Sequence, residues 1–106
     1  MAITVNSVVR STGQASAPRR MQTLNVDMDA SYPTGGEDVS ASLAGGTVEW
    51  SETVPHYNGA TLRFFRVSSA GKIQAFVSTG GAPGAEVTAA TDLSGHTGVQ
   101  LAVFTQ

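Results

Sequence analysis

The chain contains no cysteine, so thiol catalysis, zinc–thiolate sites and disulfide bonds are excluded. Small secreted domains often carry disulfides, and their absence favours assembly in the cytoplasm. No apolar run approaches the ~20 residues that a membrane-spanning helix needs. The first ten residues lack the basic region and the unbroken apolar stretch of a signal peptide. The sequence therefore predicts no membrane association.

Charge is also scarce, because only 13% of the residues are charged, about half of the ~25% that is usual. The formal net charge is −2, and the basic residues are scattered apart from Arg19 and Arg20. A nucleic-acid binder would show a basic stripe, so we expect no nucleic-acid partner. A surface of Ser, Thr, Ala and Gly costs little to desolvate and suits burial in an assembly. Composition alone also fits a neutral, soluble monomer.

A chain of 106 residues is long enough for one domain. Residues 2–10 are rich in Thr and Val and predict a short strand. Residues 11–20 are small and polar, include Gly13 and Pro18, and predict a linker or mobile arm. We therefore expect residues 1–20 to form an N-terminal strand and arm, and residues 21–106 to form a single β-domain.

Alternation of apolar and polar residues predicts several strands. Residues 21–29 place Leu24, Val26 and Met28 on one face, and residues 98–105 repeat this pattern. Three further segments read as strands at residues 47–54, 62–69 and 72–78. The last two flank Ala70 and Gly71, which predicts a β-hairpin with a short glycine turn. Residues 31–36 and 79–85 read as a turn and a loop. Residues 38–43 predict a single helical turn, and no segment keeps a helical period over ten residues. The prediction is an all-β fold, a small antiparallel β-sandwich or β-barrel with an extended N-terminal arm.

Candidate catalytic groups do not form a recognisable set. His56 and His96 are expected in exposed loops, without the ligand spacing of a zinc site. Asp27 and Asp29 fall on the solvent face of a strand, and their spacing to Glu37 does not match a calcium-binding loop. No nucleophile elbow or phosphate-binding loop occurs. The sequence predicts no catalytic, cofactor-binding or metal-binding residue, and hence a protein that is not an enzyme.

The aromatic residues give the best sequence evidence for a binding surface. Phe64 and Phe65 are adjacent in a predicted strand, so their side chains point to opposite faces. We expect Phe65 and Phe76 to lie outside the core at a protein interface, unless another part of the same chain covers them. The N-terminal segment adds the remaining predicted interface residues: Ile3, Val5, Val8, Val9, Arg19 and Arg20. Alternatively, Trp50 and Tyr57 form a sugar-binding platform.

Four short strings resemble a family of small virion proteins of tailed bacteriophages. They are A-S-Y-P-T-G-G-E at residues 30–37, G-K-I-Q-A-F at residues 71–76, A-E-V at residues 85–87 and T-D-L-S-G at residues 91–95. The match extends from about residue 21 to the C-terminus. Residues 39–46 depart from the pattern, since relatives often carry L-x-x-x-x-L-G-L there.

The resemblance implies a structural protein of the virion, specifically a capsid decoration or cement protein. Such a protein would bind the outer surface of the major capsid protein lattice, often as a trimer, after assembly in the host cytoplasm. A tail, spike or head-completion component is the alternative within the particle. A carbohydrate-binding β-module that uses Trp50 and Tyr57 is the alternative of another class.

Overall fold

The computed structural model describes residues 3–10, 20–43 and 47–105. Within these ranges the chain forms nine strands, a 3₁₀ turn at Ser40–Ser42 and no α-helix. The strands are β1 (Thr4–Arg10), β2 (Arg20–Asp27), β3 (Glu37–Asp38), β4 (Val48–Ser51), β5 (Val54–Tyr57), β6 (Leu62–Val67), β7 (Lys72–Thr79), β8 (Ala82–Glu86) and β9 (Val99–Thr105). The predicted all-β fold is confirmed.

Two antiparallel sheets form the molecule. The first sheet has the strand order β1-β2-β9-β4, and the second has the order β3-β7-β6-β5, with β8 also paired to β7. One core cluster joins Leu24 and Leu101 of the first sheet to Phe65, Ile73 and Val67 of the second. The architecture is therefore a β-sandwich, whose core is the layer between the two inner faces.

The clearest sequence patterns are confirmed. Leu24 and Val26 of β2 are buried, as are Val99, Leu101 and Val103 of β9. β2 pairs with β9 in unbroken register, so the inward side chains of the two strands lie side by side across the centre of the first sheet. The predicted hairpin is also present, as β6 and β7 pair across a short turn that ends at Gly71.

The N-terminal strand is part of the first sheet. β1 pairs antiparallel with β2 and forms one edge of the first sheet. Ile3, Val5 and Val8 pack against the core, because an irregularity between Val5 and Ser7 shifts the register and brings Val8 to the same inner face as Val5. The predicted arm, apart from Arg20 at the start of β2, lies outside the described residues.

Residues 47–54, predicted as one strand, are two strands in different sheets. β4 pairs with β9 in the first sheet, and β5 pairs with β6 in the second. At the crossing, the Glu52 amide donates to the Ala102 carbonyl at 2.9 Å, and its carboxylate accepts from the Ala102 amide at 3.0 Å. The Ser51 hydroxyl accepts from the Val67 amide of the second sheet at 2.9 Å. This corner, Ser51–Glu52, joins the two sheets by hydrogen bonds.

Residues 79–85, predicted as a loop, include a tight hairpin. β7 and β8 are joined by Gly80 and Gly81, whose φ angles are 61° and 84°. Positive φ at both central residues defines a type I′ turn, which matches the twist of the strands that it joins. β8 is paired on one side only, so Pro83 is tolerated there although it cannot donate a backbone hydrogen bond.

The turn at residues 33–36 yields a test of close packing. Gly35 and Gly36 both have positive φ, but a Cβ atom on Gly36 would stand 2.5 Å from the Ile73 carbonyl oxygen, whereas one on Gly35 would meet nothing within 4 Å. We expect Gly35→Ala to lower the free energy of unfolding by about 1 kcal/mol through backbone strain alone. Gly36→Ala should cost at least about 1–3 kcal/mol more. Urea unfolding of the two variants measures the difference, and equal losses would contradict the close approach.

Candidate interaction surface

The outer face of the first sheet carries three large apolar side chains in a row. Met21 of β2 and Trp50 of β4 both pair with Phe104 of β9, so all three side chains lie on one face. Met21 is 44% exposed and Trp50 is 55% exposed, and the Trp50 ring stands edge-on to Phe104 with 5.4 Å between centroids. We call Met21, Phe104 and Trp50 the apolar row.

The core dictates the direction of these side chains. Val103 and Thr105 of β9 are buried, so Phe104 between them must point outward. A bulge between Val48 and Trp50 interrupts the pairing of β4 with β9. Val48 therefore points into the core while Trp50, two residues later, points outward. Strict alternation, which puts residues two apart on one face, does not hold here because of the bulge.

A cleft of about 540 Å³ adjoins the apolar row at Trp50. It lies where β4 approaches β6, and its walls include Arg66, Gln74 and Ser69. The Arg66 Nε donates to Gln74 Oε1 at 3.2 Å, and the guanidinium lies 5.2 Å above the centre of the Phe76 ring. These two contacts fix a positive charge on the second sheet, in the cleft that Trp50 of the first sheet also lines.

The two predicted aromatic interface residues lie on opposite faces of the second sheet. Phe65 is 0% exposed, so its place at an interface is corrected: it pairs with Ala75 inside the core. Phe64 is the outward residue of the two and pairs with Phe76 on the outer face of the second sheet. Phe64 is itself buried and Phe76 is half-buried, which leaves Phe76 as the partly accessible member of this pair.

The N-terminal candidates give a similar result. Ile3, Val5 and Val8 pack against the chain's own core, which satisfies their apolar side chains without a partner. Val9 and Arg20 lie in β1 and β2, but their side chains lie outside the described part of the structure, as does Arg19 entirely. The apolar row was missed because its members are distant in sequence and only strand pairing brings them together.

Trp50 and Tyr57, the alternative sugar platform, are on different sheets. Trp50 is on β4 in the first sheet, whereas Tyr57 ends β5 in the second. Tyr57 is 63% exposed and its hydroxyl donates to the Gly59 carbonyl of its own loop. Only Trp50 lines the cleft, so the two rings do not form one platform there.

The four strings that carry the resemblance meet around one buried tyrosine. The Tyr32 hydroxyl donates to Glu86 at 2.5 Å and accepts from the Ala75 amide at 3.1 Å. Glu86 also accepts from the Gly35 amide at 3.0 Å, and the Tyr32 amide donates to the Thr91 carbonyl at 3.1 Å. Burial and the Glu86 carboxylate raise the pKa of Tyr32 above its ordinary value. The strings therefore form a structural network and not the exposed surface.

The half-buried His56 and the buried His96 form a pair at one end of the core. His96 is fully buried, which corrects its predicted place in an exposed loop, and its Nδ1 lies 2.9 Å from His56 Nδ1. Both rings pack against Phe65, because the backbone around His96 folds over the core and accepts a hydrogen bond from the Met28 amide. Burial, followed by His56 and Arg63, lowers the pKa of His96 to about 4.

The buried Asp29 and the half-buried Glu37 form a second polar pair. Asp29 is only 6% exposed, which corrects its predicted place on the solvent face. β2 ends at Asp27, so its alternation no longer applies, and both Met28 and Asp29 turn inward. Asp29 Oδ1 accepts from the Ser31 amide at 3.0 Å. Burial and the Asp29 carboxyl raise the pKa of Glu37 to about 7, so this pair retains a proton near neutral pH.

Neither pair has a third ligand within reach. Among the residues that the structure describes, no group of three His, Cys, Asp or Glu side chains is placed to hold a metal ion. In the same residues no helix is long and apolar enough to cross a membrane. The contacts described for the two pairs are with other residues of the chain itself. The apolar row and its cleft are therefore the candidate functional site.

Comparison with known proteins adds no relative. No protein-family model, no curated protein and no solved structure matches the chain. The resemblance to virion proteins thus stays a prediction based on the four strings, and the function must be inferred from the surface itself.

The buried histidine predicts a loss of stability in acid. The pKa of His96 is about 4 in the folded chain and 6.5 ordinarily, so the unfolded chain gains a proton first as the pH falls. The contribution of neutral His96 to the free energy of unfolding is complete above pH 6.5, and it declines by about 3 kcal/mol as the pH falls toward 4. Urea unfolding of the wild type and His96→Gln between pH 7.5 and 4 measures this decline. Parallel pH profiles for the two proteins would contradict it.

The Asp29–Glu37 pair predicts the opposite dependence of stability on pH, a loss as the pH rises. The pKa of Glu37 is raised from 4.5 to about 7, so its stabilisation is complete below pH 4.5 and is lost as the pH rises through 7. Glu37→Gln stays neutral and removes this dependence, so the wild type should lose stability relative to the variant between pH 4.5 and 7.5. Asp38→Asn is the matched control, because the pKa of Asp38 is lowered from 3.8 by Ser40 and lies below this range. A difference in the free energy of unfolding between the wild type and Glu37→Gln that does not change with pH would contradict the raised pKa of Glu37.

Proposed function

We propose that the chain is a structural protein that binds the surface of other protein subunits, and that these subunits are the major capsid proteins of a tailed bacteriophage shell. The observation that carries the proposal is the apolar row, which crosses three strands of the first sheet and leaves Met21 and Trp50 exposed beside the half-buried Phe104. Large exposed apolar groups gathered in one place are typical of protein contact sites.

The surroundings of the apolar row favour protein contact. Thr23 pairs with Ala102, and Asn25 pairs with Gln100, so the outward side chains next to the row are small or uncharged. Such groups lose little hydration energy when a partner covers them. The row is also held by strand pairing, which reduces the entropy lost on binding.

The identity of the partner rests on the four strings around Tyr32. They support a decoration or cement protein on the capsid surface, assembled in the host cytoplasm, with a homotrimer as the form that we favour. Many copies on a symmetric shell need only modest affinity each, because neighbouring contacts reinforce one another. A tail, spike or head-completion component would use the same surface in far fewer copies.

Shell binding tests the proposal directly. Purified protein is added to expanded phage shells that lack it, and occupancy and shell melting temperature are measured. We expect near-stoichiometric binding and a higher melting temperature. The double variant Met21→Ala/Trp50→Ala should bind at least about 30-fold more weakly, which corresponds to ~2 kcal/mol for a contact hot spot.

Tyr57→Ala is the matched control for this experiment. It also removes an exposed aromatic side chain, but from the second sheet, and it should bind as the wild type does. Circular dichroism verifies that all variants keep the fold. Failure of the wild type to bind any shell, or equal binding by the double variant, would reject the proposal. Twelve or fewer copies per particle would move the protein to the tail or connector.

A further inference from the structure

Arg66 presents a fixed cation in the wall of the cleft that Trp50 also lines. Its Nε is hydrogen-bonded to Gln74 and its planar face lies over Phe76. Gln74 is held in turn, since its Nε2 donates to the Gly35 carbonyl at 3.4 Å. The guanidinium therefore keeps its position without a ligand, while its two terminal amino groups have no hydrogen-bond partner within residues 3–10, 20–43 and 47–105.

The charge of Arg66 is not neutralised in that part of the chain. No carboxylate of the described residues forms an ion pair with it. Glu49, the acidic residue of the cleft wall, has an interaction of its own. Arg66 projects from the second sheet and Trp50 from the first, and the cleft is the place that both residues line. A partner segment that fills the cleft therefore desolvates this guanidinium, and a desolvated cation without a counter-charge is costly.

We propose that the cleft receives a carboxylate side chain from the partner protein. The two terminal amino groups of Arg66 form a fork that matches the two oxygens of a carboxylate. The residue next to this carboxylate packs on Trp50, at the end of the apolar row. The class of partner rests on the proposed function, whereas the carboxylate follows from Arg66 and its surroundings.

The alternative ligands fit less well. A nucleic acid needs several phosphate contacts, but the cleft offers one cation in a chain of net charge −2. A neutral sugar would stack on Trp50 but would leave the Arg66 charge without a counter-ion. A protein segment with an acidic residue beside an apolar one satisfies both groups together.

Titration with short peptides tests the inference without any shell. The probes are a capped hexapeptide with a central Glu-Leu pair, the same peptide with Gln-Leu, and a methyl glucoside. The indole Nε1–H signal of the single tryptophan and the Arg66 Nε–H signal are followed by NMR. We expect the Glu peptide to shift both signals and to bind at least tenfold more tightly than the Gln peptide, with an affinity that falls as salt is added.

Arg66→Gln should reduce binding of the Glu peptide to the level of the Gln peptide. Lys72→Gln is the matched control. It removes one positive charge from an exposed residue of the second sheet, which also carries Arg66, and it should leave binding of the Glu peptide unchanged. Equal responses to the Glu and Gln peptides, an unchanged Arg66→Gln variant, or a response to the glucoside alone would each overturn the inference.

The shell experiment separates this inference from the proposed function. If the wild type binds shells but the Glu peptide gives no response, the carboxylate inference fails and the proposed function stands. If the Glu peptide binds at Arg66 but no shell is bound, the cleft chemistry stands and the assignment of the partner fails.

Discussion

The packing of the two inner sheet faces against each other is the interaction on which the rest of this structure depends. The chain has no disulfide to restrain it, so burial of one apolar layer supplies most of its stability. That layer also decides what is left outside. Phe104 points outward because Val103 and Thr105 point inward, and it thereby completes the apolar row. The candidate binding surface is thus a consequence of the core.

The sequence predicts the fold where neighbouring residues alone determine the structure. β2, β9 and the β6–β7 hairpin follow from alternation and a glycine turn, and all three were predicted. Alternation fails where the chain changes partner: at Glu52 it leaves one sheet for the other, and at the bulge before Trp50 it reverses a face. His96 was misplaced for a related reason, since its burial depends on contacts with distant residues such as His56.

The candidate site was harder to predict than the fold because strand pairing assembles it. Met21, Trp50 and Phe104 are far apart in sequence, and Arg66 approaches Trp50 only where β4 meets β6. None of these residues lies in the four strings that resemble virion proteins. Those strings converge on Tyr32 and stabilise the fold, so a relative could keep them while presenting a different outer face.

The central claim is that the outer face of the first sheet is covered by another protein subunit when this protein works. A cryo-electron microscopy map of the particle that contains the protein would test it most directly. We predict that Met21, Phe104 and Trp50 lie against a subunit of the shell, with an acidic side chain at Arg66. A map in which this face is open to solvent, while another face makes the contact, would contradict the account.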